Sequence, residues 1–127
     1  VKTAFDKKKL EIFEPNFRRN FIHVDDVISA FLFGMKNFSK LKNQVYNLGL
    51  SSANITKLDL AKKIKIQIKD LKIKIIENSF DPDKRDYFVS NRKIEKKGYK
   101  AIVSLEDGII ELINVFQNSN LYIKNNY

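Results

Sequence analysis

The chain has no cysteine and only one histidine. The first absence excludes disulfides and thiolate metal sites, and the second leaves no imidazole cluster, so no metal is expected. Glycine is scarce as well, with Gly34, Gly49, Gly98 and Gly108 standing far apart. A dinucleotide needs closely spaced glycines at a strand-to-helix turn, where backbone can approach its pyrophosphate, and this chain shows no such turn. No apolar run reaches the roughly 18 to 20 residues of a membrane helix, and no secretory signal is visible. A cytoplasmic location away from the membrane is therefore expected. The chain opens on Val1 rather than Met, as a processed chain or a piece of a longer reading frame would, and the missing motifs favour the second.

What is present suits a soluble globular protein. The 127 residues fit one domain able to bury roughly two-thirds of its surface, and apolar and charged fractions of 43% and 31% are those of a folded chain. The net charge of +9 raises nucleic acid as a partner. Its distribution argues against that, because only Arg18, Arg19, Arg85 and Arg92 are arginines and the lysines are spread among isoleucine and asparagine, as on solvated faces. A nucleic-acid-binding domain would concentrate its lysines beside exposed aromatics, and its binding would fall steeply with salt.

Hydrophobic periodicity places the elements. Val1 to Lys9 reads as the end of a helix, and Leu10, Ile12 and Phe13 as a strand stopped by Glu14-Pro15-Asn16. Phe21, Ile22 and Val24 form a short strand, on which Arg19, Phe21 and His23 share one face and Arg18, Asn20, Ile22 and Val24 the other. Asp25-Asp26 open a helix to about Asn37, with Val27, Ile28, Phe31 and Met35 as its stripe. A strand is expected over Gln44–Gly49 and a polar loop over residues 50–54. Thr56 and Asp59 form a capping box for a helix to about Asp70, followed by a strand over Ile73–Ile76. Residues 78–86 make a charged loop. Ser90 caps a short helix through Lys97, ended by Gly98, and Ser104 to Asp107 open a last helix carrying Ile109, Ile110, Leu112, Ile113 and Phe116. A polar, frayed tail covers residues 118–127. No internal repeat is present.

The string Arg18-Arg19-Asn20-Phe21-Ile22-His23-Val24-Asp25-Asp26-Val27 closely resembles the Arg-Asp-Phe-Ile-His-Val-x-Asp-Val block of the extended short-chain dehydrogenase/reductases, the nucleotide-sugar epimerases and dehydratases. Val45-Tyr46-Asn47-Leu48-Gly49 is similar to a strand of the same enzymes. So are Asp81 to Asn91, Gly98-Tyr99 and Val103 to Ile109 to their C-terminal end. The match runs from about Val1 to Phe116. It implies an α/β fold, or α+β for this stretch in isolation, with helices packed on a few short strands. Residues 1–117 would be the C-terminal substrate-binding part, and the N-terminal Rossmann half would be missing.

The resemblance also implies a function. The parent enzymes use NAD(P) to oxidise a nucleotide-sugar, then epimerise, dehydrate or re-reduce it, and Arg19, Arg85, Ser52 and Asn54 would hold the substrate's nucleoside diphosphate. An arginine fork suits that anion. Asn20 stands where the family usually has Asp. The family's catalytic tyrosine and lysine, four residues apart, have no counterpart here. This chain is therefore expected to supply no catalytic residue, to hold no NAD(P) and to be inactive alone, with a homodimer possible only when the missing half is present. Other roles stand beside these: an ion pair of Arg19 with Asp25 or Asp26, a pairing of Arg85 with Asp83 or Asp86, a turn or cap role for Asn54, and a structural role for His23. A stand-alone nucleotide or nucleotide-sugar binding module would need the same arginines.

Overall fold

The computed structural model describes residues 1–76 and 85–119. In chain order the elements are α1 (Lys2–Lys7), β1 (Lys9–Ile12), β2 (Arg18–Asn20), α2 (Val24–Lys36), α3 (Phe38–Leu41), a 3-10 turn (Ser51–Ala53), β3 (Asn54–Thr56), α4 (Lys57–Gln67), β4 (Lys72–Ile75), α5 (Arg92–Glu95) and α6 (Leu105–Ser119). This is the mixed architecture of helices and short strands expected from the sequence. The described chain divides into two compact units, one of residues 1–16, 56–76 and 106–119, the other of residues 17–55 and 85–105.

In the first unit β1 and β4 pair in parallel, with Leu10 opposite Ile73 and Ile12 opposite Ile75. Parallel neighbours need a crossover, and α4 is the part of it that leads into β4. Its start is the expected capping box: Thr56 Oγ1 accepts the Asp59 N–H at 3.0 Å, while Asp59 Oδ2 accepts the Thr56 N–H at 3.4 Å. Ala61, Ile64, Ile68 and Leu71 are buried, as are Ala4, Ile12 and Ile109. The Phe5 and Phe116 rings lie 6.0 Å apart, and Lys63 pairs with Glu106.

In the second unit β2 pairs with β3. One apolar cluster gathers Ala30, Ile94 and Tyr99 with Phe33, Tyr46 and Leu48; another gathers Leu50, Ala53 and Ala101 with Phe21, Ile22 and Leu105. Asp26 is only 2% exposed because its carboxylate is a structural acceptor, taking the N–H groups of Ile102 and Val103 at 3.0 Å each. Its carbonyl accepts the Tyr99 hydroxyl.

Several boundaries move. The first strand of this unit is Arg18–Asn20, not Phe21–Val24, because Val24 already begins α2 and His23, still extended, serves as its N-cap, its Nδ1 accepting the Asp25 N–H at 3.2 Å. Phe21 still pairs by backbone, donating to Ala53 and accepting from Leu50. Residues 44–49 form no strand, since among the described residues no second strand supplies a ladder. The turn Ser51–Ala53 and strand β3 replace most of the expected loop, and α4 ends at Gln67 with Ile68 as its C-cap. Asn91, not Ser90, occupies the N-cap position of α5, and Gly98 follows that helix at φ 98°. α6 runs to Ser119, two residues into the expected tail, whereas residues 77–84 and 120–127, with most of the charged loop and of that tail, lie outside the described residues.

Candidate functional site

The arginines of β2 both reach the segment Arg85–Tyr87, each from its own side. Arg18 forms a fork on Asp86, Nε to Oδ1 and Nη2 to Oδ2 at 3.1 Å each, and its backbone N–H donates to Asp86 Oδ1 at 2.8 Å. This contact raises the pKa of the guanidinium and holds the Asp86 carboxyl below the usual carboxylate range, chiefly through the Arg18 side-chain hydrogen bonds. Arg19 points the other way. Its Nη1 donates to the Arg18 carbonyl at 2.8 Å and to the Arg85 carbonyl, and its guanidinium carbon lies 5.2 Å from the centre of the Tyr87 ring.

Strand alternation explains the division, because Arg18 and Arg19 face opposite ways on β2 and Asp86 and Tyr87 do so on the facing segment. The alternative partner Asp86, weighed for Arg85, belongs to Arg18. Asp25 and Asp26, weighed for Arg19, lie instead beside His23 and under the backbone of Ile102 and Val103. His23 has the structural role weighed for it. Asp83 lies outside the described residues.

Asn54, next along on β3, clamps the same segment farther on. Its Oδ1 accepts the Val89 N–H at 2.9 Å and its Nδ2 donates to the Val89 carbonyl at 3.0 Å. A third, long bond runs from Nδ2 to the Ser51 carbonyl at 3.4 Å. Ser52 is exposed in the 3-10 turn, and Arg85 is exposed as well. Arg19, Asn54 and the Arg85 backbone are thus joined through one extended segment, with Ser52 two residues before Asn54.

A polar layer beneath this arrangement could not be read from the sequence. Asn20 Nδ2 donates to the Leu50 carbonyl at 2.9 Å, a bond an aspartate could not make. Gly49 is what lets that carboxamide in: a Cβ there would fall 1.5 Å from Asn20 Oδ1. Asn91, 2% exposed, donates from Nδ2 to Ser51 Oγ at 3.3 Å, and Ser51 in turn donates to Glu95 at 2.6 Å. Tyr87 could have been found, because it alternates with Asp86 in a string already singled out.

The residues present do not fit NAD(P). Gly34 and Gly108 lie inside α2 and α6, Gly49 is packed on Asn20, and Gly98 follows α5, so none stands in a strand-to-helix turn. Among the described residues no helix is long and apolar enough to cross a membrane.

The described residues form a mixed α/β polypeptide of helices and two two-stranded ladders, with Arg18 and Arg19 on β2. No family model matches the sequence. A probable GDP-L-fucose synthase of rice, Oryza sativa subsp. japonica, is 32% identical over 94 residues, which are 73% of this chain and 27% of that protein. Among solved structures, a GDP-6-OMe-4-keto-L-xylo-heptose reductase of Campylobacter jejuni superposes with a TM-score of 0.73 at 27% identity, covering 90% of this chain and 35% of that one. The ADP-L-glycero-D-manno-heptose-6-epimerase of Helicobacter pylori gives 0.67 at 27% identity, with 91% and 35% covered. The chain belongs to the extended short-chain dehydrogenase/reductase superfamily. It spans 27% to 35% of the length of these relatives, in agreement with a C-terminal portion.

Proposed function

We propose that this chain is the substrate-binding part of a cytoplasmic NAD(P)-dependent nucleotide-sugar epimerase, dehydratase or reductase, and that it holds the substrate's nucleoside diphosphate. The observation that carries the reading is the pose of Arg19. Its guanidinium is fixed by two carbonyls and a tyrosine face, so its charge is pre-oriented and little side-chain freedom is lost when an anion arrives. Arg85, exposed on the segment that Arg19 grips, is the second cation. Ser52 offers a hydroxyl from the turn, and Asn54 acts by pinning Val89 and hence the whole segment.

Chemically, this part binds and orients. Interactions with a diphosphate remote from the reacting carbon supply binding energy that positions the sugar for chemistry performed elsewhere. NAD(P), which would accept and return hydride, is assigned to the length of the relatives that this chain does not span. Titration calorimetry of GDP and ADP into the 127-residue chain tests the reading. Saturable binding that Arg19→Ala weakens about ten- to hundred-fold is expected, the cost of one charge-assisted contact. Binding indifferent to Arg19→Ala, or no binding of either nucleotide, overturns it.

A further inference from the structure

The segment 86–90 is tied to the rest of its unit by side chains. Among the described residues it makes no backbone-to-backbone hydrogen bond. Its holds are the Arg18 fork on Asp86 at one end, the two-point clamp of Asn54 on Val89 near the other, and a longer bond from Asn47 to the Ser90 carbonyl at 3.3 Å. In a ladder, the backbone bonds shared with a neighbour set the register of a strand. Here that task falls to side chains, and Asp86 accepts three of the bonds.

Asp86 selects one register among several. Successive residues of an extended chain face opposite ways, so a slip of one residue would bring Arg85 or Tyr87 to Arg18 and turn Asp86 or Phe88 towards Arg19. Asp86 in that place would occupy the guanidinium with a fixed carboxylate and leave it little charge for a diphosphate. In the observed register Asp86 Oδ1 accepts both the Arg18 backbone N–H at 2.8 Å and Nε at 3.1 Å, and Oδ2 accepts Nη2 at 3.1 Å. The backbone bond fixes position along the strand, because a long side chain can follow a displaced partner and a main-chain N–H cannot. With Asp86 so placed, the Tyr87 ring centre lies 5.2 Å from the Arg19 guanidinium carbon, and the Arg85 carbonyl meets Arg19 Nη1.

We propose that Asp86 is a positioning residue of the anion site: it fixes the register of residues 85–89 on β2, so that the Tyr87 ring faces Arg19 and aligns its guanidinium. Arg18 is the post to which Asp86 is tied. Asp86 acts through Arg19 rather than on the nucleotide. The sign of its charge fits that role, since a carboxylate beside an anion site repels the anion, and here the Arg18 ion pair offsets that charge. The inference rests on the functional reading for its nucleotide arm alone.

Two measurements on the 127-residue chain decide it. The first needs no ligand. In proton–nitrogen spectra a tyrosine face shifts the Arg19 Nε–H resonance upfield, and Tyr87→Leu identifies that shift by removing it. Asp86→Ala should remove it too, whereas Asp86→Asn, whose Oδ1 still accepts the Arg18 backbone N–H, should retain it. Asp86 is exposed and belongs to neither apolar cluster, so these variants keep the fold. The second measurement is GDP titration. Asp86→Ala should weaken binding about ten-fold, against the direction that charge alone gives, while Asp86→Asn and Arg18→Ala change it only a few-fold. In an Arg19→Ala background Asp86→Ala should have no further effect. An Arg19 resonance that Tyr87→Leu or Asp86→Ala leaves in place overturns the proposal. So does Arg19-dependent GDP binding that Asp86→Ala leaves unchanged or tightens, or an equal loss in the Arg19→Ala background. GDP binding absent in every form sinks the functional reading, and the resonance then decides this inference alone.

Discussion

Arg18 and Arg19 are adjacent in sequence and equal in charge, yet Arg18 forks on the Asp86 carboxylate, while the contacts of Arg19 include the Arg18 and Arg85 carbonyls and the Tyr87 ring. If Arg19 holds the diphosphate as proposed and Arg18 stays on its Asp86 fork, Arg18→Ala should alter GDP affinity only a few-fold while Arg19→Ala acts about ten- to hundred-fold, roughly the range of one charge-assisted bond. Calorimetry in which Arg18→Ala is the more damaging change would reverse the assignment. Gly49 is the other residue on which local structure depends. In Gly49→Ala the new methyl meets Asn20 Oδ1 at 1.5 Å and Cγ at 2.7 Å, so the carboxamide must leave the Leu50 carbonyl. A loss of roughly 1–3 kcal/mol in urea unfolding is expected, from overpacking and a broken buried hydrogen bond. Unchanged stability would show that Asn20 moves without cost.

At the scale of the element, α4 owes its start to Thr56 and Asp59. Thr56→Ala should cost about 1 kcal/mol, read as a lowered urea midpoint, whereas Thr56→Ser should keep most of the cap. The same box makes a pH prediction. The Thr56 hydroxyl holds the Asp59 carboxyl below its usual range, as Lys63 does for Glu106, Lys9 for Glu11 and Arg18 for Asp86. A carboxylate whose pKa is lower folded than unfolded stabilises the fold above the unfolded value, about 4, and loses that contribution as pH falls through the folded value. Stability should therefore drop between about pH 5 and pH 2. Denaturant midpoints at pH 6 and pH 3 check this, and Asp59→Asn, which lacks one of the carboxylates, should fall less between them.

At the scale of the whole molecule, the described residues leave an apolar face of α2 exposed. The chain should give no saturable heat with NAD or NADP, because its glycines are spent inside helices, against Asn20 and after α5. A tight, stoichiometric signal from the 127-residue chain would contradict that and place a cofactor site here. Such a result would also remove the reason for assigning hydride chemistry to the length of the relatives that this chain does not span.

The sequence by itself determined the kinds of elements and the family. Amphipathic spacing in α2 and α6 and the Thr56 box are local signals, written within one or two helical turns, and the helices and the box are there in the structure, although Phe31 and Met35 of the α2 stripe, which read as core, are exposed among the described residues. The arginine block and the Lys-Arg-Asp-Tyr string were legible for the same reason. What only the tertiary structure decided was pairing. That Arg18 rather than Arg85 takes Asp86, that Asn54 clamps Val89, and that Asn20 fills the space Gly49 leaves are contacts across 29 to 68 residues of chain. Strand 44–49 failed for a related reason. A strand needs a neighbour to complete its hydrogen bonds, and pattern within a segment cannot say whether that neighbour is there.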